Sequence, residues 1–285
     1  MAVSNPLPLP GPLLLVGCGN MAGAMLQGWL AGGADPRQIS VVRPSGRAPA
    51  EGIRTLTALP EDEVPAIVLL GVKPQKLDEV VPGLARLMAP ETILVSILAG
   101  TDLASLRARF PAVRSIVKAM PNLPVAVRLG VAALYTDAAT APGARAEVER
   151  LMSALGHVEW FDDEARFNTA SALTAAAPAY LFRFLDALSA AAIELGLPPG
   201  QAARLAAEMA RGAAALAMGS PETPRQLASR VASPGGTTEA GFGVLDADDG
   251  LNALVLRTLE AARRRGVEMA AERSRIGPSA GAGPS

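Results

Sequence analysis

Two glycine-containing segments hold the residues able to do chemistry. The first is Gly17-Cys18-Gly19-Asn20-Met21-Ala22, of the form G-x-G-x-x-A. It lies between an apolar run, Leu13-Leu14-Leu15-Val16, and a stretch of helical spacing from Met21 to Ala31. In such a loop the first glycine makes a tight turn and the second lets backbone approach a pyrophosphate. The small third residue lets helix and strand pack closely, and the helix N-terminus faces the anion. The strand-before, helix-after context favours dinucleotide binding over an ordinary strand–helix turn. The second segment, Ser233-Pro234-Gly235-Gly236-Thr237-Thr238, leads into the helical stretch Glu239–Val244. Free backbone angles, hydroxyl donors and a helix N-terminus make a cradle for a small carboxylate. A capped helix entry explains the same residues equally well.

The end of the second strand selects the cofactor. An acidic residue there would hold a ribose 2′-hydroxyl, whereas arginine accommodates a 2′-phosphate. The chain reads Val41-Val42-Arg43-Pro44-Ser45-Gly46-Arg47, with no carboxylate before Glu51. Arg43 and Ser45, with Arg47 in reserve, predict NADPH, with NADH as the alternative.

Scarcity excludes much else. The 285 residues include one cysteine, one histidine and lysines only at 73, 76 and 118. No disulfide framework or thiolate cluster can be built, and no metal site is expected. Cys18 reads as a small residue facing backbone, and His157, with no evident orienting partner, as structural or surface. Asp246, Asp248 and Asp249 fail the calcium-loop spacing and suit a capping turn. Arg263-Arg264-Arg265 reads as a solvated helix face. With 26 basic and 27 acidic residues and 4% aromatics, neither a polyanion groove nor a base-stacking platform is expected. No continuous apolar run approaches a membrane span, and the N-terminus lacks a secretion signal. A soluble cytoplasmic protein without nucleic-acid or membrane partners is the expectation.

The elements that must position these residues alternate. Strands are predicted at Leu13–Val16, Ile39–Val42, Ala66–Leu70, Thr92–Ile97, Ser115–Met120, Val131–Tyr135 and Val158–Phe161. Helices are predicted at Leu77–Met88, Leu103–Arg109 and Ala144–Leu155, besides the one after the glycine loop. That order predicts an α/β, Rossmann-like, doubly wound parallel sheet over residues 1–161, after a loose Pro-rich arm at 1–11. Residues 162–273 lack strand signals and predict an all-α domain. Asp162-Asp163-Glu164 caps its entry, Pro178 starts a helix to about Leu195, and Leu251–Ala271 is the last helix. Gln201–Met218 has no polar face, so it should be buried, with a second copy of the chain as one partner. Residues 274–285 predict a disordered tail.

On Gly17–Ala22, Val72-Lys73-Pro74, Met120-Pro121-Asn122, Pro178-Ala179-Tyr180 and Ser233–Thr238, the chain resembles the pyrroline-5-carboxylate reductases from about Leu13 to Ala270. The resemblance implies a Rossmann-like domain, a helical domain that dimerises, and dimers that assemble into rings. It implies NAD(P)H-dependent reduction of a cyclic imino acid, 1-pyrroline-5-carboxylate, to L-proline. It puts the pyrophosphate on Gly17, Cys18, Gly19, Asn20, Met21 and Ala22. The nicotinamide half would lie by Val72, Lys73, Pro74, Leu98 and Ala99. The substrate carboxylate would sit at Ser233, Gly235, Gly236, Thr237 and Thr238, with Glu164 close by. Three departures stand out: Thr174-Ala175-Ala176-Ala177 for the family's Ser-Gly-Ser-Gly, Ala58 for an asparagine, and Lys118 for an arginine. A protonated imine needs a hydrogen bond at nitrogen and a clamp on its carboxylate, not a strong side-chain acid. Thr238 is the expected imine contact, and Tyr180 reads as core. The alternatives are a reductase of a related cyclic imine, a β-hydroxyacid dehydrogenase relative, and a non-catalytic NADP-binding regulator.

Overall fold

The computed structural model describes residues 7–275. Eight strands form one sheet: β1 (Leu13–Val16), β2 (Ile39–Val42), β3 (Arg54–Leu56), β4 (Ile67–Leu70), β5 (Ile93–Ser96), β6 (Ser115–Pro121), β7 (Gly130–Tyr135) and β8 (Gly156–Phe161). Their spatial order is β3-β2-β1-β4-β5-β6-β7-β8. The helices among them are α1 (Asn20–Ala31), α2 (Leu77–Leu87), α3 (Leu103–Arg109) and α4 (Pro142–Ser153).

Strands β1 and β4, in the middle of the sheet, are apolar at every position because both faces are covered. Leu13, Leu15, Ile67 and Leu69 join Met25 and Trp29 of α1 and Leu151 of α4 in one core. Leu14, Val16, Val68 and Leu70 join Leu84 of α2 and Leu106 of α3 in the other. Period-two alternation thus sends successive residues of one strand into opposite cores. Trp29 ties α1 to α4 by donating its Nε1–H to the Leu151 carbonyl at 2.8 Å. That bond holds the helix whose first turn follows the glycine loop.

Several expectations change. The sheet is not wholly parallel: β7 runs antiparallel to β6. The two are joined only by residues 122–129 around a 3₁₀ turn, Leu123–Val127, and a parallel crossover needs a dozen residues or more. The edge strand β3 was not anticipated, because Arg-Thr-Leu has no apolar run to mark it. Of the expected N-terminal arm, residues 1–6 lie outside the described residues. Leu9 is not loose but buried in the first core.

The remaining helices are α5 (Glu164–Glu194), α6 (Pro199–Gly219), α7 (Pro224–Val231), α8 (Thr237–Leu245) and α9 (Leu251–Arg275). Asp163 caps α5, its Oδ1 accepting the Arg166 N–H at 2.7 Å. Pro178 does not start a helix; it lies inside α5. Thr174-Ala175-Ala176-Ala177 is helical too, as befits alanine, the best helix former. Proline at 178 has no N–H for the Thr174 carbonyl one turn earlier. The Asn122 Nδ2 donates to that carbonyl at 3.2 Å, while its Oδ1 accepts the Val131 N–H at 2.8 Å. A buried asparagine on the β6–β7 connection thereby compensates a proline in α5.

The chain divides into two compact units, one of residues up to 176 with those from 264, the other of residues 177–263. In the second unit α6 is largely exposed, with Ala202 its one buried residue. Tyr180 is only half-buried, not core, and Leu181, Phe182, Leu205, Met209 and Leu216 are exposed. In the single chain the burial expected of α6 is therefore not met. Helix α5 is long and apolar enough, by length and composition, to cross a membrane. Alanine supplies that hydropathy in many small increments rather than in one apolar run. Of the expected tail, Ser274 and Arg275 belong to α9, and residues 276–285 lie outside the described residues.

Candidate active site

The glycine loop leaves the carboxyl end of β1, where open α/β sheets bind ligands. Gly17 has φ +86°, and a Cβ there would stand 2.7 Å from the Gly71 carbonyl oxygen and 2.8 Å from the Val72 nitrogen. Only glycine fits that turn, and the fit brings Val72 against the loop. A Cβ built on Gly19 would meet nothing within 4 Å, so the loop is open where a pyrophosphate would approach. Helix α1 begins at Asn20 with no side chain capping it and no acidic residue in its first turn. Its positive end is therefore uncompensated. An open groove of about 480 Å³ runs along this surface, lined by Cys18, Gly19, Asn20, Gln27, Arg43 and Leu123 among others. Met21 is half-buried and Ala22 buried against the sheet. These residues fit a dinucleotide.

Arg43 follows β2, its N–H donating to the Leu56 carbonyl at 2.9 Å and its own carbonyl accepting the Gly46 N–H at 3.1 Å. Ser45 and Arg47 are exposed on the same turn, the Ser45 Oγ accepting the Arg47 N–H at 3.4 Å. Burial pushes the Cys18 thiol up, and Arg43 partly opposes this.

After β4 come Val72, Lys73 and Pro74; Lys73 precedes the 3₁₀ turn Pro74–Lys76. After β5, Leu98 is buried, and its N–H donates to the Ser96 Oγ at 3.4 Å; Ala99 follows it. Sites on β1, β2, β4 and β5 are thus gathered at one end of the sheet. Glu164, at the start of α5, accepts the Leu103 N–H at 3.0 Å and forms an ion pair with Lys118 of β6 through the same Oε1. Lys118 is buried, and its Nζ lies 4.7 Å from the Phe167 ring centroid. Beyond that ring, burial first and then the Glu164, Asp137 and Asp163 carboxylates push the Tyr135 phenol up.

The second segment is a turn before α8. Gly235 has φ +71°, and the Gly236 N–H donates to the Ser233 carbonyl at 2.9 Å. Gly236 precedes the helix without a side-chain cap, and Thr237 and Thr238 are its first two residues. The Gly235 N–H donates to Oε2 of Glu239 at 2.6 Å. Sequence reasoning passed over Glu239, although its position three after Gly236 matches the spacing of a capping carboxylate. It also passed over Asn122 as a clamp, which only the fold reveals.

Elsewhere, His157 does have a partner, Glu159 at 3.1 Å, both side chains being exposed on β8. Asp246 follows α8 as its C-cap, and no group of acidic, histidine and cysteine residues able to hold a metal occurs among the described residues.

A mostly parallel sheet with an open glycine loop, followed by helices, defines a nicotinamide-dependent oxidoreductase. Residues 164–269 match the family model described as pyrroline-5-carboxylate reductase dimerisation. Residues 13–100 match the model described as NADP oxidoreductase, coenzyme F420-dependent. A pyrroline-5-carboxylate reductase of Pseudomonas aeruginosa is 36% identical over 264 residues, 90% of this chain and 96% of that one. One from Haemophilus influenzae is 33% identical over 263 residues, 90% of this chain and 97% of that one. The structure of the Coxiella burnetii pyrroline-5-carboxylate reductase superposes with a TM-score of 0.82 at 30% identity, over 91% of this chain and 98% of that one. The chain belongs to the pyrroline-5-carboxylate reductase family.

Proposed function

We propose that the chain reduces 1-pyrroline-5-carboxylate to L-proline with NADPH as the preferred donor. The observation that carries this reading is full-length likeness to reductases of that name, joined to a glycine loop open at Gly19 and backed by an uncapped helix. The Plasmodium falciparum pyrroline carboxylate reductase, of the same fold at TM-score 0.81, has been solved with NADP bound. Arg43 beside the groove, with no carboxylate at the end of β2, supports the phosphorylated dinucleotide.

When bound, the reduced nicotinamide supplies a hydride. The chain's own residues bind and orient. Gly17 to Ala22 hold the pyrophosphate on backbone N–H groups, and Arg43 and Ser45 hold the 2′-phosphate. Val72, Lys73, Pro74, Leu98 and Ala99 line the nicotinamide half. Ser233, Gly235, Gly236 and Thr237 clamp the substrate carboxylate, and Thr238 hydrogen-bonds the ring nitrogen. Glu164 is assigned to substrate binding and is held by Lys118 and the Leu103 N–H. The iminium arrives with its proton, so hydride addition at carbon gives the amine and no side chain must donate. A chain with one histidine and three lysines suits that requirement better than carbonyl reduction does. Exposed apolar side chains on α5 and α6 support assembly through the helical unit into a dimer or a dimer-based ring. A reducing cytoplasm suits its single thiol.

The test is NADPH oxidation on adding pyrroline-5-carboxylate, with NADH in parallel. Turnover separates the enzyme from a non-catalytic binder, and six-membered piperideine carboxylate separates the neighbouring imine reductase. Thr238→Ala should lower kcat/KM about tenfold, roughly 1.4 kcal/mol of transition-state stabilisation; unchanged kinetics would reject Thr238 as the imine contact.

A further inference from the structure

The turn proposed to clamp the substrate already holds an anion of its own. Glu239 is the only acidic residue between Glu222 and Asp246. It is the third residue of α8, exposed, and its carboxylate accepts the Gly235 N–H at 2.6 Å. One N–H does not serve two carboxylates, and two carboxylates at hydrogen-bond distance from the same donor repel each other. A ligand carboxylate that takes Gly235 must therefore displace Glu239.

We propose that Glu239 is a resident competitor for the Gly235 amide, a specificity-determining residue that weakens binding of carboxylate-bearing ring ligands and plays no part in hydride transfer. The inference rests on the functional reading above. A purely structural cap behaves differently. Removing it would loosen the turn for any ligand, whereas removing a competitor favours most the ligands that bring a carboxylate to the Gly235 N–H.

Glu239→Ala and Glu239→Gln, made in the full chain, are compared with the unaltered protein. The measurements are pyrroline-5-carboxylate kinetics and inhibition by L-proline and by L-prolinamide, which carries a neutral carboxamide instead. In Glu239→Ala, the KM for pyrroline-5-carboxylate and the inhibition constant of L-proline should both fall about three- to tenfold, the scale of one exposed charge-assisted bond. The kcat should stay within about twofold, and L-prolinamide, whose carboxamide oxygen accepts the Gly235 N–H without a charge to repel Glu239, should shift clearly less than L-proline. Glu239→Gln loses the charge but keeps an oxygen acceptor, so it should fall between. An unchanged or increased KM, or equal shifts for L-proline and L-prolinamide, would overturn the role of Glu239 and leave the reductase reading standing. An unaltered protein that does not turn over pyrroline-5-carboxylate would instead remove that reading and this inference with it.

Discussion

Replacing Arg43 by alanine should convert the protein from one that prefers NADPH to one nearly indifferent between the two donors. The Arg43 backbone is fixed at both ends, through the Leu56 carbonyl and the Gly46 N–H. Its half-buried side chain lines the groove beside Cys18 and Asn20. Among the described residues no carboxylate forms an ion pair with it, so its charge is available to a ligand. A hydrogen bond between charged partners contributes about 1.5–3 kcal/mol. Solvent at the open groove brings the estimate to the lower end, about 1.5–2 kcal/mol. That is roughly a ten- to thirtyfold loss in kcat/KM for NADPH. NADH, lacking the phosphate, should change by no more than about twofold. The assay is the ratio of kcat/KM for the two cofactors, in the unaltered protein and in Arg43→Ala. A second readout is the Cys18 thiol. Arg43 pulls its pKa down, so the variant should react more slowly with a thiol reagent at fixed pH. An unaltered protein without a cofactor preference, or equal losses for both cofactors, would refute the assignment.

Further outcomes follow from contacts within the first unit. Lys118→Met removes the cation that pairs with Glu164 and should lower stability by about 2–3 kcal/mol; urea unfolding of Lys118→Met/Glu164→Gln should recover part of that. Asn122→Ala leaves the Thr174 carbonyl and the Val131 N–H without their partner, at a cost of about 2–4 kcal/mol. Asn122→Asp keeps the acceptor for Val131 but sets a buried carboxylate oxygen against the Thr174 carbonyl, where neither donates, so on thermal unfolding it should cost at least as much as alanine. Hydrogen bonding to Arg107 holds the Asp137 carboxyl below its ordinary range. Its contribution is present above the unfolded pKa, near 4, and is lost as pH falls through the lower folded value. Asp137→Asn should therefore be less stable than the unaltered protein at pH 7, and the gap should close in acid; a gap independent of pH would exclude the ion pair as its source.

What the sequence determined by itself was whatever depends on local pattern. The run Leu13–Val16, the glycines that follow and the helical spacing to Ala31 specify strand, turn and helix without distant help. Uninterrupted apolar strands separated by helices specify a sheet covered on both faces. The lack of an acid after Val42, and the few lysines and histidines, narrowed the chemistry. Tertiary structure decided whatever depends on partners far along the chain. The reversal of β7 follows from a connection too short to cross over. Pro178 continues a helix because Asn122, 56 residues earlier, takes up the carbonyl that proline leaves unpaired. Lys118 differs from the family's arginine in the sequence, but only the fold sets it against Glu164 and over Phe167. Glu239 is one acid among many until the turn brings the Gly235 N–H to its carboxylate. Propensity and periodicity act over a few residues, whereas the satisfaction of buried polar groups is settled only when the whole chain has closed on itself.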